Sequence, residues 1–528
     1  MKKISESTLI VIVSLFLVTF DNVSFFSNVI TIYPFSSNNI FFLGSLFVVL
    51  SSVVIFLIIL ISSPYTTKPV LILLLLTSSL TSYFMDSYHV VFDHTMIQNI
   101  ILTHAAESQD LFNFKIFSYF LFLGILPSIF VYRANVEYGS FKQIVIAKFK
   151  TATVSLLIAI SLIVVFSKFY TSFFREYRTL KYHTNPTYYI YSFGKYISLM
   201  ARYDDGLLKS LDADAKIPEN DLDRELIILV VGEAARADRF SLNGYERETN
   251  PLLKKEDIIN FPNMYSCGTS TAVSVPCMFS IFGRDSYSDN KARSTENLLD
   301  LLNHAGIKTL WIDNNSDSKG VALRVLYEDY KNPEKNPVCD DVECRDEGML
   351  YGLQEYIDQQ TSKDIFIVLH QMGNHGPSYF KRYPKSFEKF VPVCKTNQLE
   401  LCTSEEINNA YDNAILYTDY FLSKVIALLK KNSEQFETAL FYLSDHGESL
   451  GENNLYLHGL PHFMAPDTQK HVAALMWFSD SFKIDRKALK EKAKNQFSHD
   501  YLFHTILGLM EIQTSVYDKK MDIVNGEL

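Results

Sequence analysis

Leu226-Ile227-Ile228-Leu229-Val230-Val231 is an unbroken apolar run, and it leads directly into Gly232-Glu233. A continuous run of that length reads as a strand buried on both faces. Three later runs also stop at polar residues. Thr309-Leu310-Trp311-Ile312 ends in Asp313-Asn314-Asn315, Ile365-Phe366-Ile367-Val368-Leu369 ends in His370, and Leu440-Phe441-Tyr442-Leu443 ends in Ser444-Asp445-His446. Amphipathic segments separate them, for example Ile407–Lys430, with Ala414, Phe421, Val425 and Leu428 on one face. The alternation predicts an α/β domain with a mainly parallel central sheet. Ligands of such sheets gather at the carboxyl ends of the strands, where these polar residues fall.

Glu233, Asp445 and His446 each come just after a strand, so they can converge, and as hard or borderline ligands they suit zinc. A catalytic metal keeps one position open. Thr271 is a candidate for it, with its hydroxyl acidified by the cation. Thr271 lies in Ser266-Cys267-Gly268-Thr269-Ser270-Thr271-Ala272-Val273-Ser274-Val275-Pro276-Cys277. This small, polar segment makes a poor core element but a good anion cradle; a Ser/Thr-rich surface loop is the competing reading. His370, His375, His458 and His462 sit in short polar motifs and read as further ligands, orienting groups or general acids. Lys319, in Asp313-Asn314-Asn315-Ser316-Asp317-Ser318-Lys319-Gly320, offers a cation for a phosphate, against the plainer reading of a surface lysine.

Charge and hydropathy divide the chain of 528 residues. Residues 1–170 carry 9 Lys and Arg against 7 Asp and Glu, a formal +2, which leaves −12 for the remainder of a chain whose total is −10. So acidic a domain has no electrostatic case for nucleic acid. Metal cations, or lipids at a membrane, are the expected ligands. All 6 cysteines lie in the second part. Their even number and short spacings point to disulfides and a non-cytosolic domain. Pairing of sequence neighbours is the simplest arrangement; zinc held by thiolates is the rival, weakened by the lack of a C-x-x-C spacing.

Residues 1–170 read as five membrane spans, about Leu9–Val29, Ile40–Ile61, Val70–Phe84, Phe117–Tyr132 and Thr151–Phe166, on a need of roughly 20 apolar residues per helix. Lys2, Lys3, Lys68, Arg133, Lys142, Lys148 and Lys150 mark the cytoplasmic segments by the positive-inside rule. The N-terminus is then cytoplasmic, and five spans deliver the large domain to the opposite side, in agreement with the cysteines. An outer loop, Met85–Lys115, carries Asn99, Thr103 and Glu107 at intervals of four, a polar stripe on one helical face. It reads as a holder for a lipid headgroup, or as the solvated face of an interfacial helix. Residues 171–224 form an aromatic and then charged linker suited to the membrane surface, and residues 225–528 form the catalytic domain.

Taken together, these motifs resemble the lipid A phosphoethanolamine transferases, the family of the mobile colistin-resistance enzymes, over nearly the whole chain. The matching text is Val230-Val231-Gly232-Glu233-Ala234-Ala235-Arg236-Ala237-Asp238 with Asn243-Gly244-Tyr245-Glu246-Arg247, then Cys267-Gly268-Thr269-Ser270-Thr271, Asp313 to Lys319, His370 to Pro377, and Ser444-Asp445-His446-Gly447-Glu448-Ser449-Leu450-Gly451-Glu452. The resemblance implies an alkaline phosphatase/sulfatase-like periplasmic domain on a bacterial inner-membrane anchor. It implies zinc held by Glu233, Thr271, Asp445 and His446, with Thr271 as nucleophile, and contacts to phosphoethanolamine from Asn99, Thr103, Glu107, Ser316, Lys319, His375 and His458. It supports the pairs Cys267–Cys277, Cys339–Cys344 and Cys394–Cys402. One departure stands out: the family commonly has Thr after the metal-binding Glu, and here Ala234 succeeds Glu233.

The expected reaction moves phosphoethanolamine from phosphatidylethanolamine to a phosphate of lipid A through a phosphoethanolamine–threonine intermediate. Less negative charge on lipid A would weaken binding of cationic peptides such as polymyxin. The rivals are the same donor with a different lipopolysaccharide acceptor such as a core sugar, a sulfatase- or phosphatase-like hydrolase, and a non-catalytic membrane sensor that keeps the fold.

Overall fold

Asp21 and Asn22 interrupt the first apolar stretch. In the computed structural model of the protein, Glu6–Phe20 (α1) and Val23–Ile32 (α2) meet there at a bend of 57°, where the sequence reads as one span. The Asn22 side-chain amide donates to the carbonyls of Leu17 (3.0 Å) and Asn185 (2.6 Å), bonds that replace helix continuation. The structure describes all residues except 1–2, 38, 104–110, 201–207, 212–213, 222, 341–342, 362 and 527–528.

Ile40–Ile61 (α3) and Thr67–Tyr88 (α4) come next, then His94–Leu102 (α5), Phe114–Arg133 (α6) and Phe141–Val165 (α7). Among the described residues, α3, α4, α6 and α7 are long and apolar enough to cross a membrane, and the bent α1–α2 pair makes five if counted as one span. Helices α4 and α6 exceed the apolar runs Val70–Phe84 and Phe117–Tyr132. In α4 the polar residues do not end the helix, because the hydroxyls of Thr77 and Thr81 donate to the carbonyls of Leu73 and Thr77, 2.8 Å each. Helix α7 starts ten residues before Thr151 because Ser140 and Gln143 form a capping box.

The chain divides into two compact units, Met1–Ile97 with Phe112–Ile197, and Gln98–Leu111 with Ser198–Leu528. Helix Thr187–Met200 (α8) falls mostly in the first.

The second unit is built on a seven-stranded sheet. Its strands are Glu225–Gly232 (β1), Ile259–Asn260 (β2), Lys308–Asp313 (β3), Leu326–Asp329 (β4), Ile365–His370 (β5), Glu437–Ser444 (β6) and Ala474–Phe478 (β7). The order is β2-β7-β6-β1-β5-β3-β4. Neighbours from β6 to β4 are parallel, and β7 runs antiparallel to β6 and β2. The sheet is mainly parallel, as the apolar runs predict.

β1 lies at the centre and is buried throughout. Leu226, Ile228 and Val230 pack with Ile407, Phe421 and Val425 of the long helix Ser404–Asn432 (α10). Ile227, Leu229 and Val231 face the other layer, with Val275 and Met278 of Thr271–Met278 (α9) and Ile506. Each such side chain contributes about 1.5–3 kcal/mol by burial. In register, Val231 sits opposite His370, Gly232 opposite Ser444, and Asp313 opposite His370. The strand ends are therefore aligned, and the residues just beyond them meet at one edge of the sheet. Three disulfides, Cys267–Cys277, Cys339–Cys344 and Cys394–Cys402, staple loops of this unit.

Candidate active site

Glu233 lies just past β1, Asp445 and His446 just past β6, and Thr271 opens α9; all four are buried. The Thr271 hydroxyl donates to Glu233 Oε2 at 3.1 Å and lies 3.4 Å from His446 Nε2. His446 Nε2 is 3.3 Å from Glu233 Oε1 and 3.4 Å from Asp445 Oδ2. His446 Nδ1 lies 2.9 Å from the Gly447 carbonyl, which fixes the tautomer and leaves Nε2 with a lone pair toward the cluster.

Glu233 Oε1 and Asp445 Oδ2 have no hydrogen-bond partner among the described residues, although both side chains are fully buried. Buried carboxylate oxygens without donors are costly unless a cation meets them. Two carboxylates, an imidazole nitrogen and a hydroxyl converging in this way fit a divalent metal with mixed N and O ligands. Burial pushes Asp445 up, and the neighbouring Glu233 pushes it further. Burial also opposes ionisation of Glu233, yet the imidazoles of His446, His375 and His458 hold its carboxyl down, at about 2.

The backbone supports this group closely. Asp445 Oδ1 accepts the N–H groups of Ala234 (3.1 Å) and His446 (2.7 Å). Ala234, at φ 54°, also gives its carbonyl to the Tyr411 hydroxyl at 2.6 Å. The position after Glu233 thus acts through its backbone. A Cβ at Gly268 would come within 2.7 Å of Ser274 Oγ and 2.9 Å of its backbone nitrogen, so only glycine lets the Cys267 end of the loop lie against α9.

His458 joins Glu233 and His446 in one group whose ligand atoms lie within 4.8 Å of one another. Its ring centroid is 4.1 Å from that of His446 and 5.8 Å from that of His375. His458 Nδ1 pairs with Glu448 Oε2 at 2.7 Å, and the Tyr379 hydroxyl donates to Glu448 Oε1 at 2.7 Å. Burial alone would lower the His458 pKa; the Glu448 carboxylate outweighs it and raises it.

The buried Lys319 ammonium donates to the carbonyls of Ser316 (3.2 Å) and Leu102 (3.4 Å). It is not the surface lysine of the plainer reading. Leu102 is the last residue of α5, which carries Asn99; Thr103 comes just beyond the helix and its hydroxyl donates to the Asn99 carbonyl at 2.7 Å. The helix stops short of the full polar stripe, and Glu107 lies outside the described residues. His370 is spoken for by Asp313, Nδ1 to Oδ2 at 2.9 Å. His462 is held down at about 4 by burial and by Arg284 and Lys470, so it is neutral.

Sequence reasoning does not single out three residues of this region. Glu448 is visible in Asp445-His446-Gly447-Glu448, but its role depends on the rotamer of His458. Asn315 donates to Glu233 Oε2 at 2.8 Å and to the Gln371 carbonyl at 2.7 Å. His499 accepts the Cys267 N–H at 3.1 Å and reaches the Ser444 carbonyl at 3.0 Å through its other nitrogen, tying the Thr271 loop to β6. No local pattern marks His499.

Residues 50–200 match the family described as phosphoethanolamine transferase EptA/EptB, and residues 225–512 match the sulfatase family. Phosphatidylethanolamine transferase Mcr-2 of Escherichia coli is 43% identical over 521 residues, 96% of either chain. The chain belongs to the phosphoethanolamine transferase family. The family's enzyme EptA of Escherichia coli K12 is 40% identical over 450 residues, covering 84% of this chain and 82% of that one. The integral membrane lipooligosaccharide phosphoethanolamine transferase A of Neisseria meningitidis has the same fold, with a TM-score of 0.94, 37% identity and 99% of both chains covered.

Proposed function

We propose that this chain moves phosphoethanolamine from phosphatidylethanolamine to a phosphate of lipid A, with Thr271 as the nucleophile. The observation that carries the reading is the Thr271 hydroxyl 3.1 Å from Glu233 and 3.4 Å from His446, in a chain 43% identical to a phosphatidylethanolamine transferase. Glu233, Thr271, Asp445 and His446 would hold zinc. Bound there, zinc acidifies the threonine hydroxyl and offsets charge on the phosphoryl oxygens.

Thr271 Oγ attacks the phosphorus of the donor, a new O–P bond forms, and the bond to diacylglycerol oxygen breaks. Glu233 Oε2 orients the hydroxyl as the acceptor of its hydrogen bond and takes its proton as Oγ attacks. His458, fixed by Glu448, supplies a proton to the departing diacylglycerol oxygen. The lipid A phosphate then attacks the same phosphorus through one oxygen and the O–P bond to Thr271 breaks; Thr271 Oγ takes back its proton from Glu233, and His458 is reprotonated from the lipid A phosphate or water. Lys319 supplies positive charge for the phosphoryl group, and Ser316, His375, Asn99, Thr103 and Glu107 complete the contacts to phosphoethanolamine. The product carries less net negative charge, which weakens attraction of polymyxin and other cationic peptides.

The reading places the membrane unit in the inner membrane of a bacterium, with its N-terminus cytoplasmic and its catalytic domain in the periplasm. The spacing of the basic residues and the three disulfides support that placement. The test is mass spectrometry of lipid A from bacteria expressing the protein. The reading predicts one added phosphoethanolamine, absent with Thr271→Ala. Unmodified lipid A with a modified core sugar would overturn the acceptor, and no modified lipopolysaccharide at all would overturn the reaction.

A further inference from the structure

Outside the active site, Asp21 and Asn185 of the membrane unit present carboxylate and amide oxygens that no donor meets among the described residues. Asp21 is 2% exposed, and neither carboxylate oxygen has a partner among the described residues. Asn185 is fully buried, and its Oδ1 likewise has none. The two are tied together through Asn22. The Asn185 N–H donates to Asn22 Oδ1 at 2.9 Å, and the Asn22 amide returns a bond to the Asn185 carbonyl at 2.6 Å. The Asn185 amide is committed to the Ser78 carbonyl at 3.0 Å, which fixes the side chain so that Oδ1 is the free end.

Three donors of this unit go to a different carboxylate. Ser24 N–H (2.9 Å), the Ser82 hydroxyl (3.2 Å) and the Tyr119 hydroxyl (3.3 Å) all go to Asp86, which thereby caps the start of α2. The Tyr189 hydroxyl pairs with Thr77 Oγ1 at 2.7 Å. Asp21 also sits at the carboxyl end of α1, where its N–H closes the last turn onto the Leu17 carbonyl, so the helix dipole adds negative potential. Water could supply donors here but not charge.

We propose that Asp21 and Asn185 form an oxygen-lined site for a hard metal cation, of the sodium or magnesium class, at the break between α1 and α2. Hard cations take carboxylate and amide oxygens, and the interrupted ends of broken membrane helices are suited to coordinate them. The site is separate from the Glu233–His446 group, uses no nitrogen ligand, and would pin the α1–α2 bend to the start of α8.

Hydrogen–deuterium exchange on the full-length protein in phosphatidylcholine nanodiscs tests this. Sodium or magnesium chloride is titrated against choline chloride at constant ionic strength and constant zinc. Peptides spanning residues 17–24 and 183–189 should exchange roughly tenfold more slowly once one of the two metals saturates, and Asp21→Asn should remove the response. Asn185→Asp, which adds a charge to the site, should lower the midpoint concentration by about tenfold, a readout that stands even if Asp21→Asn fails to fold. Equal exchange in choline, sodium and magnesium would overturn the site. So would a cation response kept by Asp21→Asn, or an unchanged midpoint in Asn185→Asp. Protection given by phosphatidylethanolamine in place of metal would assign the site to a lipid ammonium and overturn the metal.

Discussion

Glu233 and Thr271 are 38 residues apart in the chain, yet Thr271 Oγ lies 3.1 Å from Glu233 Oε2. One residue lies just past the central strand and the other begins α9, which packs on one face of the sheet, so the contact exists only when the sheet edge is assembled. Glu233→Gln keeps the shape and the hydrogen bond but removes a charge from the metal group. It should lower bound metal from near-stoichiometric to a small fraction and reduce transfer at least about a hundredfold. Metal analysis of the purified protein, alongside a transfer assay, checks this.

Glu448 reaches the site through His458 Nδ1, 2.7 Å away. Glu448→Gln should cut kcat roughly 10- to 100-fold while leaving bound metal and KM for the donor nearly unchanged. A matching rise in KM without a fall in kcat would mean that Glu448 serves donor binding instead.

The Cys267–Cys277 bond closes a short loop around Thr271 and α9. Replacing both cysteines by serine should cost about 2–3 kcal/mol of stability of the second unit, and more activity than the same change at Cys394–Cys402, in the segment before α10. Thermal unfolding and transfer rates of the two double variants make the comparison.

At the opposite end of β1, burial and the carboxylates of Asp364, Asp221, Glu511 and Glu437 push Glu225 up to about 8 from its ordinary 4.5. The folded state binds this proton more tightly than the unfolded chain. Stability is therefore full below about 4.5 and is lost as pH rises toward 8. Glu225→Gln removes that loss: its Tm at pH 8 should exceed wild type by roughly 5 °C, and the difference should vanish near pH 4.5. A difference independent of pH would show that the charge is not its origin.

Much of the fold and of the candidate site is legible in the sequence because the candidate residues follow strand ends. Four apolar runs that lead into Glu233, Asp313, His370 and Asp445 locate the sheet and the candidate site together, since a parallel strand buried on both faces leaves a strong sequence signal. Residues acting at a distance leave no such signal. His499 reaches Cys267 and Ser444 only through tertiary packing, and Glu448 acquires its role from one hydrogen bond. In the membrane unit, composition alone suggests a span from Leu9 to Val29. Asn22 breaks it because its side-chain bonds to Leu17 and Asn185 compete with the helix, which no window of hydropathy registers. Ala234 looks like a departure in chemistry; its backbone, not its side chain, meets Asp445 and Tyr411.

The central claim is that Thr271 carries the phosphoethanolamine group between donor and acceptor. Intact-protein mass spectrometry after incubation with phosphatidylethanolamine, without acceptor, tests it most directly. The account predicts a mass gain of one phosphoethanolamine on the wild-type protein, mapped to the peptide containing Thr271, with diacylglycerol released and no gain in Thr271→Ala. Diacylglycerol release by the wild type with no adduct trapped at any time, or an adduct that persists in Thr271→Ala, would contradict it.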